Sequence, residues 1–365
     1  MKICVISSTV FPVHPPLGTL GYSGLEVLAW QQAEGLAKKG HAVLLCAPDG
    51  SRCDHAQVLH TGPPGGHGEE QAYARYSQVL HQFDCVIDHS WSKPAYLLKE
   101  AGNLPAPVLG VMHAPVNTMI GSPPPVEKPC IVCISDDQRS HYEALFAPHR
   151  ARTAHNGVDL DFYKPLNVPR SGRFLFLARF STIKGPDLAI DACRAAGAGL
   201  DLIGDTSITN EPEFLQRCTR LVGEANLEAH KRGRPLPEQR MVGPAKRGEC
   251  VWWFSQAHCL LHPNQRFREP FGLAPVEAMA CGTPVIAWDY GAMRETVGTD
   301  GGVLVRSMTE LVDAVRSCGT VFGNGNILDQ TARERCRENA ARFSLPRMID
   351  RYAELCQEAI ETGGW

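Results

Sequence analysis

Two glutamates, Glu269 and Glu277, stand on either side of the seven residues PFGLAPV. Pro275 suits the first turn of a helix, where a missing N–H has no intrahelical partner to lose. The N–H groups around Gly272, Leu273 and Ala274 would then be open to a phosphate. Glu277, one turn into such a helix, is placed to accept hydrogen bonds from ribose hydroxyls, and Glu269, ahead of the turn, can reach a sugar. The plainer alternative is that Glu277 only complements the helix dipole and that Glu269 is solvated. Spacing alone leaves the two open.

A second group lies in LARFSTIKGPD, where Arg179 follows an apolar run and Lys184 precedes a glycine and a proline-started helix. Two cations beside a helix N-terminus can neutralise a departing diphosphate; the alternative is a pair of exposed basic residues on a loop. In LGTLGYSGLE, residues Ser23 to Glu26 match the S-x-x-E capping box. The glycines Gly18, Gly21 and Gly24 would also let backbone approach a ligand. The loop is neither G-x-G-x-x-G nor a lysine-bearing P-loop, which counts against dinucleotide or ATP binding. Three histidines, His89, His113 and His155, each follow an apolar run. A lone histidine is more often packed than catalytic; His113 is singled out because its run ends where a ligand cleft is expected. No H-E-x-x-H, paired C-x-x-C or Asp-rich loop appears, so neither metal nor cofactor is predicted.

The elements that must hold these residues repeat one rhythm of short apolar strand, loop and amphipathic helix. KICVISS, HAVLLCAP, CVIDHS, PVLGVMHA and CIVCIS read as strands, with helices over GLEVLAWQQAEGLAKKG, near 70–82 and over 136–146. SRCDHAQVLHTGPPGGHGEE breaks the rhythm and reads as an exposed loop. After the connector near 163–172 the pattern restarts with RFLFLARF, GPDLAIDACRAAG, LDLIGD, HCLLHP and TPVIAW. This predicts an α/β protein of two Rossmann-like parallel-sheet domains facing a central cleft, with ligands beyond the carboxyl ends of the strands. The expected domains are 1–165 and 166–345, followed by a helix over 346–365 with Met348, Tyr352, Leu355 and Ile360 near one face.

Bulk properties agree with two globular domains. The chain has 365 residues, 44% hydrophobic and 21% charged, with net charge -3, so no basic field argues for nucleic acid. The apolar start MKICVISSTVFP is short and meets a proline at once, reading as a strand and not a signal peptide. No window offers about 18 uninterrupted apolar residues. The 14 cysteines therefore read as reduced thiols of a cytoplasmic protein. Cys130 and Cys133 fall three apart on a strand, pointing to opposite faces, so they make a poor metal or redox pair.

Taken together, FREPFGLAPVEAMACGTPVIA, LARFSTIKGPDLAIDA, TAHNGVDLDFY and GYSGLE resemble the retaining nucleotide-sugar glycosyltransferases of family four, also called group 1, which have the GT-B fold. The likeness runs from Met1 to about Ala359, and the E-x7-E segment with the Arg/Lys segment is its specific part. The resemblance implies that Arg179 and Lys184 hold the diphosphate and that Glu277 binds the ribose. It implies that Glu269 and the Phe271–Leu273 backbone hold the donor sugar, with His113 near the reaction centre. Ser23 and Gly24 stand where the family has two adjacent glycines, which departs from its pattern at the β-phosphate. It further implies that residues 346–365 return to pack on the first domain. LVGEANLEAHKRGRPLPEQR is longer and more basic than the usual connection; it reads as an ordinary solvated insertion, with an acceptor or partner surface as the alternative.

The expected activity is transfer of a hexose from a UDP-linked donor to an acceptor hydroxyl with retention, without metal. The acceptor is expected to be soluble, since helix 24–39 offers only Lys38 and Lys39 to an anionic lipid; a homo-oligomer is compatible. The rival readings are a GT-B-fold sugar-nucleotide epimerase, a non-catalytic sugar-nucleotide sensor and, weaker because the dinucleotide fingerprint is missing, a Rossmann oxidoreductase.

Overall fold

In a computed structural model, residues 1–17, 24–65, 68–117, 126–146, 151–206, 211–321 and 330–365 are described. They fall into two compact units, Met1–Gly157 with Leu345–Trp365, and Val158–Ser344.

The first unit is built on runs too uniformly apolar for a half-exposed sheet. Its strands are β1 (Lys2–Ile6), β2 (Ala42–Ala47), β3 (Gln57–His60), β4 (Cys85–Asp88), β5 (Val108–Met112), β6 (Ile131–Cys133) and β7 (Arg152–Thr153). All pair in parallel, in the order β3-β2-β1-β4-β5-β6-β7. Buried parallel strands have helices over both faces, which explains why CVID, VLGVM and IVC are buried along their whole length. The helices are α1 (Gly24–Lys38), α2 (Glu69–Tyr76), α3 (Ala95–Glu100) and α4 (Asp136–Leu145). At the start of α4, the Ser135 hydroxyl accepts from the Gln138 N–H at 3.0 Å, and the Gln138 side chain accepts from Ile134 N–H at 2.8 Å. The C-terminal helix, Leu345–Thr362, joins this unit by burying Met348, Ile349, Tyr352, Leu355 and Cys356. Ile349 fills the space over Gly35 of α1, where an added Cβ would lie 2.0 Å from its Cδ1. Ile360, expected on the same face, is half-buried.

The stretch read as an exposed loop contains β3, an edge strand. Only Val58 and Leu59 of QVLH are apolar, and the strand pairs on one side alone, so its signal is weak.

The second unit repeats the topology. Strands β8 (Phe174–Leu177), β9 (Leu200–Ile203), β10 (Gln239–Gly243), β11 (Cys259–His262), β12 (Val285–Trp288) and β13 (Gly302–Val305) form a parallel sheet in the order β10-β9-β8-β11-β12-β13. Its helices are α5 (Pro186–Ala196), α6 (Pro212–Lys231), α7 (Arg247–Gln256), α8 (Leu273–Ala280), α9 (Met293–Thr296), α10 (Met308–Val321) and α11 (Gln330–Ala341). The core joins Phe174, Phe176, Phe180, Ile190, Leu202, Leu261 and Ile286; burying such a side chain contributes about 1.5–3 kcal/mol. The stretch expected as a solvated insertion is largely exposed, and it has regular structure. It forms the second half of α6, which buries Val222, Ala225 and Ala229, and then leads into β10. Three of its cations are paired: Arg232 to Glu228 at 3.7 Å, Arg234 to Glu238 at 2.9 Å, and Arg240 to Asp201 at 2.7 Å.

In each sheet the strand order reverses once, between β1 and β4 and between β8 and β11. Right-handed crossovers send the flanking helices to opposite faces there, which opens a crevice at the carboxyl ends of those strands. The residues with candidate chemistry sit around those two points.

Candidate functional site

In the second unit the chain leaves β8 at Ala178, whose N–H reaches Ile203 O at 3.2 Å, and Arg179 follows, half-buried. A turn closed by Lys184 N–H on Ser181 O (3.0 Å) leads to Gly185, in the left-handed region at φ 70°. Any side chain there would meet Pro263 O at 2.9 Å, so α5 begins hard against the exit of β11. That packing delivers Lys184 to Glu269.

Lys184 Nζ lies 2.6 Å from Glu269 Oε2, and Asn264 Nδ2 donates to the same oxygen at 3.0 Å. His262 Nε2 stands 3.6 Å away, beyond hydrogen-bond range. The Phe267 ring lies under the ammonium, 5.2 Å from its centroid. Glu269 is thus 8% exposed and ion-paired, not solvated. Burial alone would push its carboxyl up; the Lys184 ammonium outweighs that, the His262 ring adds to it, and the group is held well below the usual carboxylate range. Its backbone is fixed as closely. Ala292 N–H donates to Glu269 O at 2.9 Å, and a Cβ on Gly291 would meet that oxygen at 2.5 Å.

Phe271 is fully buried edge-on against Phe343, with ring centroids 5.5 Å apart, so its side chain anchors the turn and only its backbone is available to a ligand. Gly272 follows at φ 83°, ψ 76° and begins α8 with no side-chain cap on the helix. An added Cβ there would meet Met293 Cε at 2.6 Å and Glu269 Cγ at 3.6 Å. Glu269 and the start of α8 are therefore neighbours, and the Leu273 and Ala274 N–H groups stand in the first turn. Glu277, 9% exposed, has a partner that its spacing did not suggest. Arg247 Nη1 reaches its carboxylate at 3.3 Å and also donates to Tyr163 Oη at 2.9 Å. Burial and the Glu277 charge push the Tyr163 phenol well up.

The first unit carries the remaining candidates. Ser23, with Gly18 and Gly21, lies outside the described residues; Gly24 opens α1. Glu26, expected in a capping box, is buried and accepts from the Ser8 hydroxyl. His113 follows β5, with its Nε2 2.8 Å from Nδ1 of His89, which follows β4. His89 Nε2 in turn lies 2.7 Å from Gln32 Oε1 on α1. Burial is the main cause that pushes both rings towards the neutral form, His89 to about 3 and His113 well below its ordinary value; the Lys93 charge adds to both. His89, set aside as a packed histidine by sequence reasoning, is thus the direct partner of His113. Its one signal was its place after β4, at the same strand ends. Asn264 and Gly291 follow β11 and β12 in the same manner, whereas no local pattern pointed to Arg247.

A family model for "Glycosyl transferases group 1" matches residues 161–343, and one for "Glycosyltransferase Family 4" matches 22–162. The chain is 26% identical to D-inositol 3-phosphate glycosyltransferase 1 of Catenulispora acidiphila, over 99% of this chain and 97% of the relative. Among solved structures, sucrose-phosphate synthase from Thermosynechococcus elongatus superposes with a TM-score of 0.79 at 20% identity, covering 99% of each chain. HepE of Anabaena, solved with UDP-glucose, superposes with a TM-score of 0.73 at 17% identity, covering 98% of this chain and 100% of its own.

Proposed function

The chain belongs to the glycosyl transferases group 1 family, and from that premise we propose that it moves a hexose from a UDP-linked donor to an acceptor hydroxyl with retention at the anomeric carbon. The observation that carries this reading is the buried Lys184–Glu269 pair beside the uncapped start of α8. It combines a cation and open N–H groups for phosphate with a carboxylate for hydroxyls.

Arg179, Lys184 and the first N–H groups of α8 stabilise the departing diphosphate, the dominant electrostatic contribution in such a reaction. Side-chain cations take that part, and the reaction needs no metal. Glu277, steadied by Arg247, binds the ribose; Glu269 with the Phe271–Leu273 backbone holds the sugar; His113 meets the sugar near the reacting carbon; and Ser23 with Gly24 approaches the β-phosphate. The bond from the anomeric carbon to the phosphate oxygen breaks, and its electron pair leaves with the diphosphate. The acceptor oxygen attacks the same face and its proton passes to the leaving phosphate. Glu269 is tied to Lys184 and Asn264, which suits an anchor better than a covalent nucleophile.

The test is incubation with a panel of nucleotide sugars and hydroxyl acceptors, D-inositol 3-phosphate among them, with EDTA present. A glycosylated acceptor with the donor's anomeric configuration, read by proton NMR, is expected. An isomerised donor without acceptor would make the protein an epimerase, and binding without turnover a sensor. Loss of all turnover on chelation would overturn the metal-independent route. The acceptor proposed is soluble; among the described residues no helix is long and apolar enough to cross a membrane.

A further inference from the structure

The first unit contains a short chain of hydrogen-bonding groups, Gln32, His89 and His113, running from α1 across the ends of β4 and β5. Gln32 is fully buried on α1, and His89 is 2% exposed. In the amide orientation of the structure, Gln32 Oε1 lies 2.7 Å from His89 Nε2, with Gln32 Nε2 buried and without a hydrogen-bond partner among the described residues. A carbonyl only accepts, so the hydrogen of the His89 ring belongs on Nε2. In a neutral ring Nδ1 is then bare and must accept from His113 Nε2, 2.8 Å away. The hydrogen of His113 is consequently on Nε2, and its Nδ1 is the bare nitrogen. A doubly protonated His89 would place a second positive charge in a buried site already facing Lys93, which is costly. The Tyr352 ring of the C-terminal helix, 6.2 Å from the His89 ring, packs the second histidine in place.

We propose that His89, backed by Gln32, is a positioning residue that fixes His113 in the Nε2–H tautomer and so presents Nδ1 as an acceptor for a substrate hydroxyl. The first half of this statement concerns the protein alone; the second rests on the reading that His113 faces the donor sugar. A partner of this kind behind a functional imidazole typically changes activity 10–100-fold on removal, as known for metal-bound histidines.

The experiment is long-range nitrogen–proton NMR of the ligand-free protein labelled in its histidines at neutral pH, with His113 identified by the signal lost in His113→Asn. The expected spectrum shows His113 with a protonated Nε2 and an unprotonated Nδ1. In His89→Phe the same residue should become a mixture of tautomers, and His89→Gln, whose carbonyl oxygen still accepts, should restore the single form. A His113 carrying its hydrogen on Nδ1, or a tautomer unmoved by His89→Phe, overturns the proposal. If His89→Phe does not fold, the wild-type spectrum and that of Gln32→Met decide the same question. In turnover assays His89→Phe should lower kcat about 10–100-fold with donor KM within about twofold, and His89→Gln should recover most of it. The expected tautomer in a protein that transfers no sugar would leave the positioning role standing and defeat the functional reading. Normal kcat in His89→Phe with a mixed tautomer would overturn the link between the two.

Discussion

Lys184 and Glu269 come from positions 85 residues apart and neutralise each other with side chains 14% and 11% exposed. Removing one member of such a pair strands the other charge, which costs about 3–5 kcal/mol when burial is complete. Lys184→Ala should therefore abolish most turnover and also lower the melting temperature, read by circular dichroism. Glu277→Ala should likewise abolish most turnover and lower the melting temperature, since it leaves the Arg247 guanidinium buried with only the neutral Tyr163 phenol as a partner. Near-normal rates in both variants would reject the site. The types and order of these residues were legible in the sequence, but their pairing was not. Nothing in the run PFGLAPV shows that Glu269 faces an ammonium brought by another loop, or that Glu277 meets an arginine on α7. Periodicity tells which way a side chain points, not how deep it lies or what waits there.

At the level of elements, the turn Trp288–Gly291 after β12 is what holds the Glu269 backbone. Gly291 has φ 65°, and its missing Cβ makes room for Glu269 O and N. Gly291→Ala combines left-handed strain with a clash against backbone, so it should destabilise by more than about 1 kcal/mol. Urea unfolding measures that cost. Donor KM should rise with it, and unchanged values of both would show that the turn does not position Glu269. Elements that advertise themselves by uninterrupted apolar runs, such as β4, β5 and β11, were readable because burial on both faces leaves no polar alternation. Edge strand β3, with two apolar residues, and α6, with a stripe set among polar and charged residues such as Arg217, Arg220, Glu224 and Glu228, were not. Their identity depends on the neighbour they pack against. The histidine chain shows the same limit, since two residues 24 apart become partners only when β4 and β5 lie side by side.

Across the whole molecule, buried titratable groups set the response to acid. His89 titrates at about 3 when folded against about 6.5 when unfolded. A depressed imidazole favours the neutral form, so its stabilisation is complete above pH 6.5 and is lost as pH falls towards 3, at about 1.4 kcal/mol per pH unit. His113 shifts in the same direction and adds to the slope. Asp289, gripped by Arg294 and Arg306, is lowered to about 2. Its contribution is present above about pH 4 and disappears between there and 2. Melting temperature should thus begin to fall below pH 6.5, above the ordinary carboxylate range. A flat curve from pH 7.5 to 5 would contradict the neutral pair. The notch at Gly35 that receives Ile349 has one more consequence, for biosynthesis. Hundreds of residues separate its two sides, so a nascent chain presents α1 with an empty socket until Leu345–Thr362 has emerged from the ribosome. Packing of Met1–Gly157 waits for that helix, while Val158–Ser344 is synthesised before it; a product halted at Ser344 should keep its second half folded and lose its first to protease.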